Sequence, residues 1–124
     1  MGQSIRITAG NVTLAAELND SPSSSAILAA LPIEASGSRW GEEIYFSIPV
    51  KEKAAPDARA DMTVGELAYW PPGTAFCIFF GPTPASDGDA PRAASAVNPI
   101  GHVVDDVTAL TAVPDGATVR IEEA

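Results

Sequence analysis

The aromatic residues of this chain are confined to its middle third. All eight lie between Trp40 and Phe80, and the densest stretch is GELAYWPPGTAFCIFFGPTP, residues 65–84. Prolines and glycines interrupt that stretch at 71–73 and 81–82, where they remove backbone donors and require turn geometry, which excludes a helix. We therefore predict a strand, a tight turn and a second strand. Because the flanks carry no large ring, we expect the core to be built around this block.

Alternating apolar and polar residues predict further strands on both sides of the aromatic block. With it, the predicted strands span residues 4–8, 12–18, 33–40, 43–50, 66–70, 75–80, 100–104 and 117–122. Cap and proline signals predict two short helices, at 22–31 and 105–113. The segments 51–61 and 83–97 lack periodicity and are predicted to be loops. This pattern predicts a mainly β fold, a closed eight-stranded antiparallel barrel with two short helices.

Length and charge limit the class of protein. The 124 residues are expected to form one domain, 1–124, and the formal charge of −9 disfavours nucleic acid and anionic membranes as partners. A single cysteine excludes an internal disulfide, and we find neither a signal peptide nor an apolar run of membrane-spanning length. We expect a cytoplasmic protein, either a monomer or a weak homo-oligomer.

The two residue types most often used in catalysis or metal binding occur once each. His102 alternates with apolar neighbours in a predicted strand, which favours a surface histidine over a catalytic one. Cys77 lies between Phe76 and Ile78, which favours a small buried hydrophobe over a nucleophile. Neither has metal-ligand partners at suitable spacing, so we expect no metal and no cofactor.

A pair of adjacent acidic residues, Glu42 and Glu43, precedes a predicted strand. Successive strand residues point to opposite faces, so only one of the two can share a face with Tyr45. If Glu42 follows Ile44 and Phe46 inward, burial would raise its pKa and make it a candidate acid or base. The alternative, a water-exposed pair at the entrance of the strand, is equally consistent with the pattern.

Trp70 stands directly before the rigid turn at 71–73. An indole in that position could form one wall of an aromatic groove for apolar or proline-containing ligands. It could equally fill the core beside a stiff corner, and we favour this second interpretation.

Three blocks of the sequence resemble the small prokaryotic cyclophilin-like family: WGEEIYFSIPV at 40–50, GELAYWPPGTAFCIFFGPTPASD at 65–87 and ASAVNPIGHV at 94–103. The resemblance implies an eight-stranded cyclophilin-type barrel with short helices at its ends. The arginine-containing strand and the FMxQGGD-type block of prolyl isomerases are not recognisable, so the isomerase residues are not carried over. The candidate ligand-binding residues are Trp40, Glu42, Glu43, Tyr45, Tyr69, Trp70, Pro71, Ser95 and Asn98.

Three functions remain open at this point, because a fold does not determine an activity. The leading hypothesis is a surface groove that binds a small molecule or a peptide segment. Trp40, Tyr45 and Trp70 would form its walls, one of the two glutamates the charged contact, and the loop 83–98 a flexible rim. The second is an enzyme, either a weak peptidyl-prolyl isomerase without the usual arginine or one that uses a groove carboxylate. The third is a non-catalytic interaction subunit.

Overall fold

A computed structural model describes residues 2–124 of the chain. Within that range the protein is mainly β, and every strand pairing is antiparallel. The ten strands are β1 (Gln3–Ala9), β2 (Val12–Leu18), β3 (Ile33–Ser36), β4 (Ser38–Arg39), β5 (Glu43–Ser47), β6 (Arg59–Asp61), β7 (Glu66–Trp70), β8 (Ala75–Phe79), β9 (Arg92–Val103) and β10 (Thr118–Glu123).

Both predicted helices exist, although only one is an α-helix. Helix α1 (Pro22–Ala30) begins after Ser21, whose Oγ accepts a hydrogen bond from the Ser24 amide at 3.3 Å, and proline occupies the first turn as expected. The second is a 3₁₀ helix, Val107–Ala112, and a further 3₁₀ turn covers Pro71–Gly73. No helix within residues 2–124 combines the length and the apolar character that crossing a bilayer requires.

The sheet does not close into the eight-stranded barrel that we predicted. Its strand order is β3-β10-β1-β2-β9-β7-β8-β5-β4, with β6 paired to β9 beside that path. The predicted strand 33–40 is split at Gly37 into β3 and β4, which pair with β10 and β5 respectively. A Cβ at position 37 would lie 2.9 Å from Val119 Cγ2 and 3.1 Å from Ile44 Cγ2. Because glycine has no Cβ, the chain can pass closely between Val119 and Ile44 where it leaves β3, at one end of the strand order, for β4, at the other.

Two segments predicted as loops contribute strands. The 51–61 segment ends in β6, and the predicted loop 83–97 is already part of β9 from Arg92 onward. Residues 94–96 are exposed, which removes the apolar alternation that would reveal a strand. The residues of β6 and β9 that pair are 31 to 38 positions apart in sequence, so only tertiary contact selects the pairing.

The aromatic block is buried on both faces. Its inner side chains, among them Tyr69, Phe76 and Ile78, belong to the main core that the sheet encloses with α1. Its outer side chains belong to a second, smaller cluster beneath β6 and β9, made of Met62, Ala68, Ala75, Cys77, Phe79, Ala93 and Val97. Burial on both faces explains why β8 is a continuous apolar run instead of an alternating one.

Candidate functional site

A cavity of about 230 Å³ opens beside the second cluster, on the outer face of the sheet. Four elements meet there: the start of β5, the middle of β8, the end of β7 and the first half of β9. The cavity is lined by Trp40, Glu43, Tyr45, Trp70, Cys77, Ala93, Ala94 and Val97. A carboxyl group, a phenol and a thiol are thus set among indole rings and small apolar side chains.

Strands β5 and β8 form the floor of the cavity. Tyr45 lies opposite Cys77, and Glu43 lies opposite Phe79. Because side chains alternate along a strand, Glu43 and Tyr45 share the outer face, whereas Ile44 points into the main core.

Glu43 is a buried carboxyl group, with only 5 % of its surface exposed. Burial raises its pKa from 4.5 to about 7, and a hydrogen bond with the Cys77 thiol opposes part of that rise. No ion pair found within residues 2–124 includes Glu43. Both protonation states of the Glu43 carboxyl group are therefore populated near neutral pH.

Cys77 keeps its proton under the same conditions. Burial, together with the neighbouring Glu43 carboxylate, raises the pKa of the Cys77 thiol well above its usual range. A protonated thiol is a poor nucleophile, so Cys77 acts in the cavity wall as a small apolar residue and a weak hydrogen-bond donor.

Trp70 forms one wall and is held on two sides. Its Nε1–H donates a hydrogen bond of 2.7 Å to Ser95 Oγ, and its ring lies so close to Gly73 that a Cβ there would come within 2.7 Å of it. Pro71 begins the 3₁₀ turn that folds Gly73 back under the ring. The rigid turn therefore sets the orientation of the indole.

The first half of β9 lines the other side of the cavity through a bulge. Arg59 of β6 pairs with Val97, and Asp61 pairs with Arg92, so a step of two residues in β6 corresponds to five in β9. The additional residues of β9 bring Ala93 and Ala94 to the cavity.

An ion pair anchors β6 to the sheet. Nη1 and Nη2 of Arg59 both donate to the buried Glu66 carboxylate, with an Nη1–Oε1 distance of 3.1 Å. The Thr63 amide donates to the same Oε1 at 3.0 Å. Together with the β6–β9 pairing, this network holds β6 in place over the second cluster.

Of the nine residues predicted from sequence, four line the cavity: Trp40, Glu43, Tyr45 and Trp70. Ser95 is exposed and reaches the cavity only through its hydrogen bond with Trp70, and Pro71 acts through the turn. Glu42 is half-buried outside the lining, beside Gly81, while its backbone amide donates to the Pro82 carbonyl at 2.9 Å.

The two remaining predicted residues, Tyr69 and Asn98, are buried away from the cavity. The Tyr69 hydroxyl donates to the Val50 carbonyl at 2.7 Å and accepts from the Glu52 amide at 3.1 Å. Asn98 accepts from the Ala55 amide at 2.7 Å and donates to the Lys53 carbonyl at 3.0 Å. Both side chains hold the irregular 50–55 segment against the sheet.

Sequence reasoning did not place Cys77 in the groove, and it included Ala93, Ala94 and Val97 only as part of the predicted rim, residues 83–98. One available signal was the small size of Ala68 and Cys77 at outward positions of β7 and β8, which leaves space on that face of the sheet. No comparable signal singled out the three residues of β9 within that rim, because their strand was predicted to be a loop.

His102 lies away from the cavity, and 62 % of its side chain is exposed. Its Nε2 lies 4.0 Å from Glu17 Oε1. The prediction of a surface histidine is confirmed. Within the described residues, no group of three or more histidine, cysteine or acidic side chains is arranged to hold a metal ion.

Comparison with known proteins agrees with this architecture. The cyclophilin-like family model matches residues 3–122, so the chain belongs to the cyclophilin-like family. Among solved structures, it is similar to the solution structure of the hypothetical protein AF2241 from Archaeoglobus fulgidus, with 39 % identity and a TM-score of 0.84. The alignment covers 99 % of this chain and 95 % of the archaeal one. None of the curated proteins matches the chain.

Proposed function

We propose that the outer cavity binds a small organic molecule, or a single side chain of a peptide, with an apolar body and one polar group. The rings of Trp40, Tyr45 and Trp70 would contact the apolar body, and Glu43 would receive the polar group. The observation that carries this proposal is the buried Glu43 carboxyl group in the wall of an otherwise apolar cavity. Burying such a group is costly, and ligand sites characteristically place a few polar groups among apolar walls.

The size of the cavity narrows the class of ligand. Its volume of about 230 Å³ exceeds the roughly 150 Å³ of an engineered cavity that binds benzene. It lies below the ~300 Å³ at which typical drug-sized pockets begin. This volume suits one ring or one branched alkyl group and is too small for an extended stretch of peptide.

Binding is testable through the two tryptophans, whose indole N–H groups give two separate signals in a ¹H–¹⁵N spectrum. We expect 3,3-dimethylbutan-1-ol, a compact apolar alcohol, to shift both signals in a saturable manner. Ala94→Leu should abolish the effect by filling the cavity, whereas Ala96→Leu, an exposed position in the same bulge but outside the lining, should preserve it. Shifts that do not saturate, or that survive Ala94→Leu, would contradict the proposal.

A specific observation favours catalysis by Glu43 as a second candidate function. A carboxyl group with a pKa of about 7 is suited to exchange protons with a bound substrate at neutral pH. In a screen of small substrates, a catalysed reaction should slow at least about 100-fold in Glu43→Gln, in line with the usual contribution of a general acid or base, and persist in Glu42→Gln. A reaction that both variants retain would remove this candidate.

The weaker alternative, prolyl isomerisation, has less support because the described cavity lining contains no arginine. An isomerisation assay on a proline peptide with micromolar protein tests it directly. Acceleration that Ala94→Leu abolishes would support the alternative, and an unchanged rate would remove it.

A further inference from the structure

We propose that the ligand group that meets Glu43 is an organic ammonium ion, an alkylated amine such as a trimethylammonium group. The inference rests on the proposed function and specifies its ligand class. A carboxylate and three aromatic side chains, Trp40, Tyr45 and Trp70, line one small cavity. The same combination of groups suits a cation whose surface is apolar.

The rings provide the first part of the argument. The face of an aromatic ring carries partial negative charge. Tryptophan attracts cations more strongly than the other aromatic side chains do, and the attraction increases where water is excluded. Two of the three rings here are indoles. A methylated ammonium ion combines positive charge with weakly hydrated methyl groups, so it loses less hydration than a metal ion or a primary amine on entering such a site.

The missing counter-charge provides the second part. Arg39, which is close in sequence, lies over the Phe80 ring, with 5.1 Å from Cζ to the ring centroid, and donates to the carbonyls of Thr111 and Val113. Arg92, at the start of the bulged strand, pairs with Asp61 at 3.1 Å. Both arginines are therefore engaged away from Glu43, and no ion pair within residues 2–124 includes Glu43. A ligand would have to bring the cation.

No other titratable group of the lining can supply the positive charge that neutralises Glu43. The others are the phenol of Tyr45 on the same strand and the thiol of Cys77 on the facing strand. Neither type of group carries positive charge in any protonation state, so neither can neutralise a carboxylate. An ammonium ion beside Glu43 would stabilise the carboxylate, so binding should release a proton from the fraction of molecules in which Glu43 is protonated.

The experiment compares two ligands of the same shape. Choline carries a trimethylammonium group, and 3,3-dimethylbutan-1-ol replaces its nitrogen with carbon. At pH 8, where Glu43 is mainly ionised, we expect choline to bind at least tenfold more tightly in a titration of the indole signals. Glu43→Gln should remove this preference, and Glu42→Gln, which changes the net charge equally from outside the lining, should retain it.

A second measurement on the unmodified protein keeps the test valid if Glu43→Gln fails to fold. The affinity for choline should fall as the pH decreases below about 7, while the affinity for the alcohol should stay constant. Equal affinity for both ligands at pH 8 would overturn the ammonium inference and leave the proposed cavity function standing. If neither ligand binds, both proposals fail.

A capped tripeptide containing trimethyl-lysine distinguishes the two sources of such a group. Tighter binding of the peptide than of choline would indicate a protein side chain, and the reverse order would indicate a free small molecule. Either order supports an ammonium ligand, provided that the matching norleucine peptide binds at least tenfold more weakly than the trimethyl-lysine peptide. Equal binding of the two peptides would contradict it.

Discussion

The indole Nε1–H of Trp70 donates a hydrogen bond of 2.7 Å to the hydroxyl oxygen of Ser95, a residue 25 positions later in the chain. This bond joins the end of β7 to the bulge of β9. It therefore couples one wall of the cavity to the other, and the orientation of the indole depends on both the 3₁₀ turn and the bulge.

Ser95→Ala tests that coupling. The free energy of unfolding should fall by less than about 1 kcal/mol, because the bond is exposed and water can replace the lost acceptor. The Trp70 indole signal should nevertheless shift, while the Trp40 signal changes less. Ser36→Ala, at an exposed position on β3, is the control and should move neither signal. An unchanged Trp70 signal in Ser95→Ala would show that the bond does not position the ring.

Glu43 should make the protein less stable as the pH rises. Its pKa is about 7 in the folded state, against an ordinary value of 4.5 for an exposed glutamate, so the folded state binds more protons between these values. The stabilisation is fully present below about pH 4.5 and is lost as the pH rises through about 7. At about 1.36 kcal/mol per pKa unit, the loss is on the order of 3 kcal/mol.

The variant Glu43→Gln should remove this part of the pH dependence and unfold at higher denaturant concentration than the wild type at pH 8. Urea unfolding at pH 5 and pH 8 measures both effects. Glu42→Gln should retain the wild-type slope between these values. The interpretation of Glu43 as the buried titrating group would be wrong if Glu43→Gln and the wild type lost stability equally.

Tyr69→Phe should destabilise the protein by about 1–3 kcal/mol. The change leaves the Val50 carbonyl and the Glu52 amide without the buried hydroxyl that now satisfies them. Hydrogen exchange should accelerate most in the 50–55 segment. Tyr45→Phe is the matched control: its ring is half-buried in the cavity wall, and we expect a loss below about 1 kcal/mol, as for a group that water can reach. Equal losses in the two variants would refute a tethering role for Tyr69.

Arg59→Gln should weaken the attachment of β6 to the sheet. It leaves the buried Glu66 carboxylate without its cation, and we expect a loss of about 1–3 kcal/mol, reduced by the partial exposure of Arg59. Amides of β6 and of the bulge in β9 should exchange faster than those of the main core. Arg120→Gln is the control: the exposure of Arg120 matches that of Arg59, 43 % against 44 %, and its ion pair among residues 2–124 is with the half-buried Glu122. We expect it to cost under about 1 kcal/mol. A similar cost for both arginines would contradict the special role of Arg59.

Local sequence patterns predicted much of the fold. The cap before α1 and the proline in its first turn located the start of that helix, since capping depends on neighbours in the chain. The alternation in β5 correctly separated Ile44 and Phe46 from Tyr45. The number of strands and the open order of the sheet were not predictable in this way, because they depend on which distant segments pair.

Composition and local periodicity by themselves determined that the chain is mainly β, that its aromatic block is central, and that Glu43 shares a strand face with Tyr45. Only the tertiary structure decided that this outer face is covered. A glutamate on a strand is exposed unless another segment packs beside it. The bulged half of β9, which lines the same cavity as Glu43, has little apolar alternation of its own. The tertiary packing around this cavity makes Glu43, and not Glu42, the buried carboxyl group.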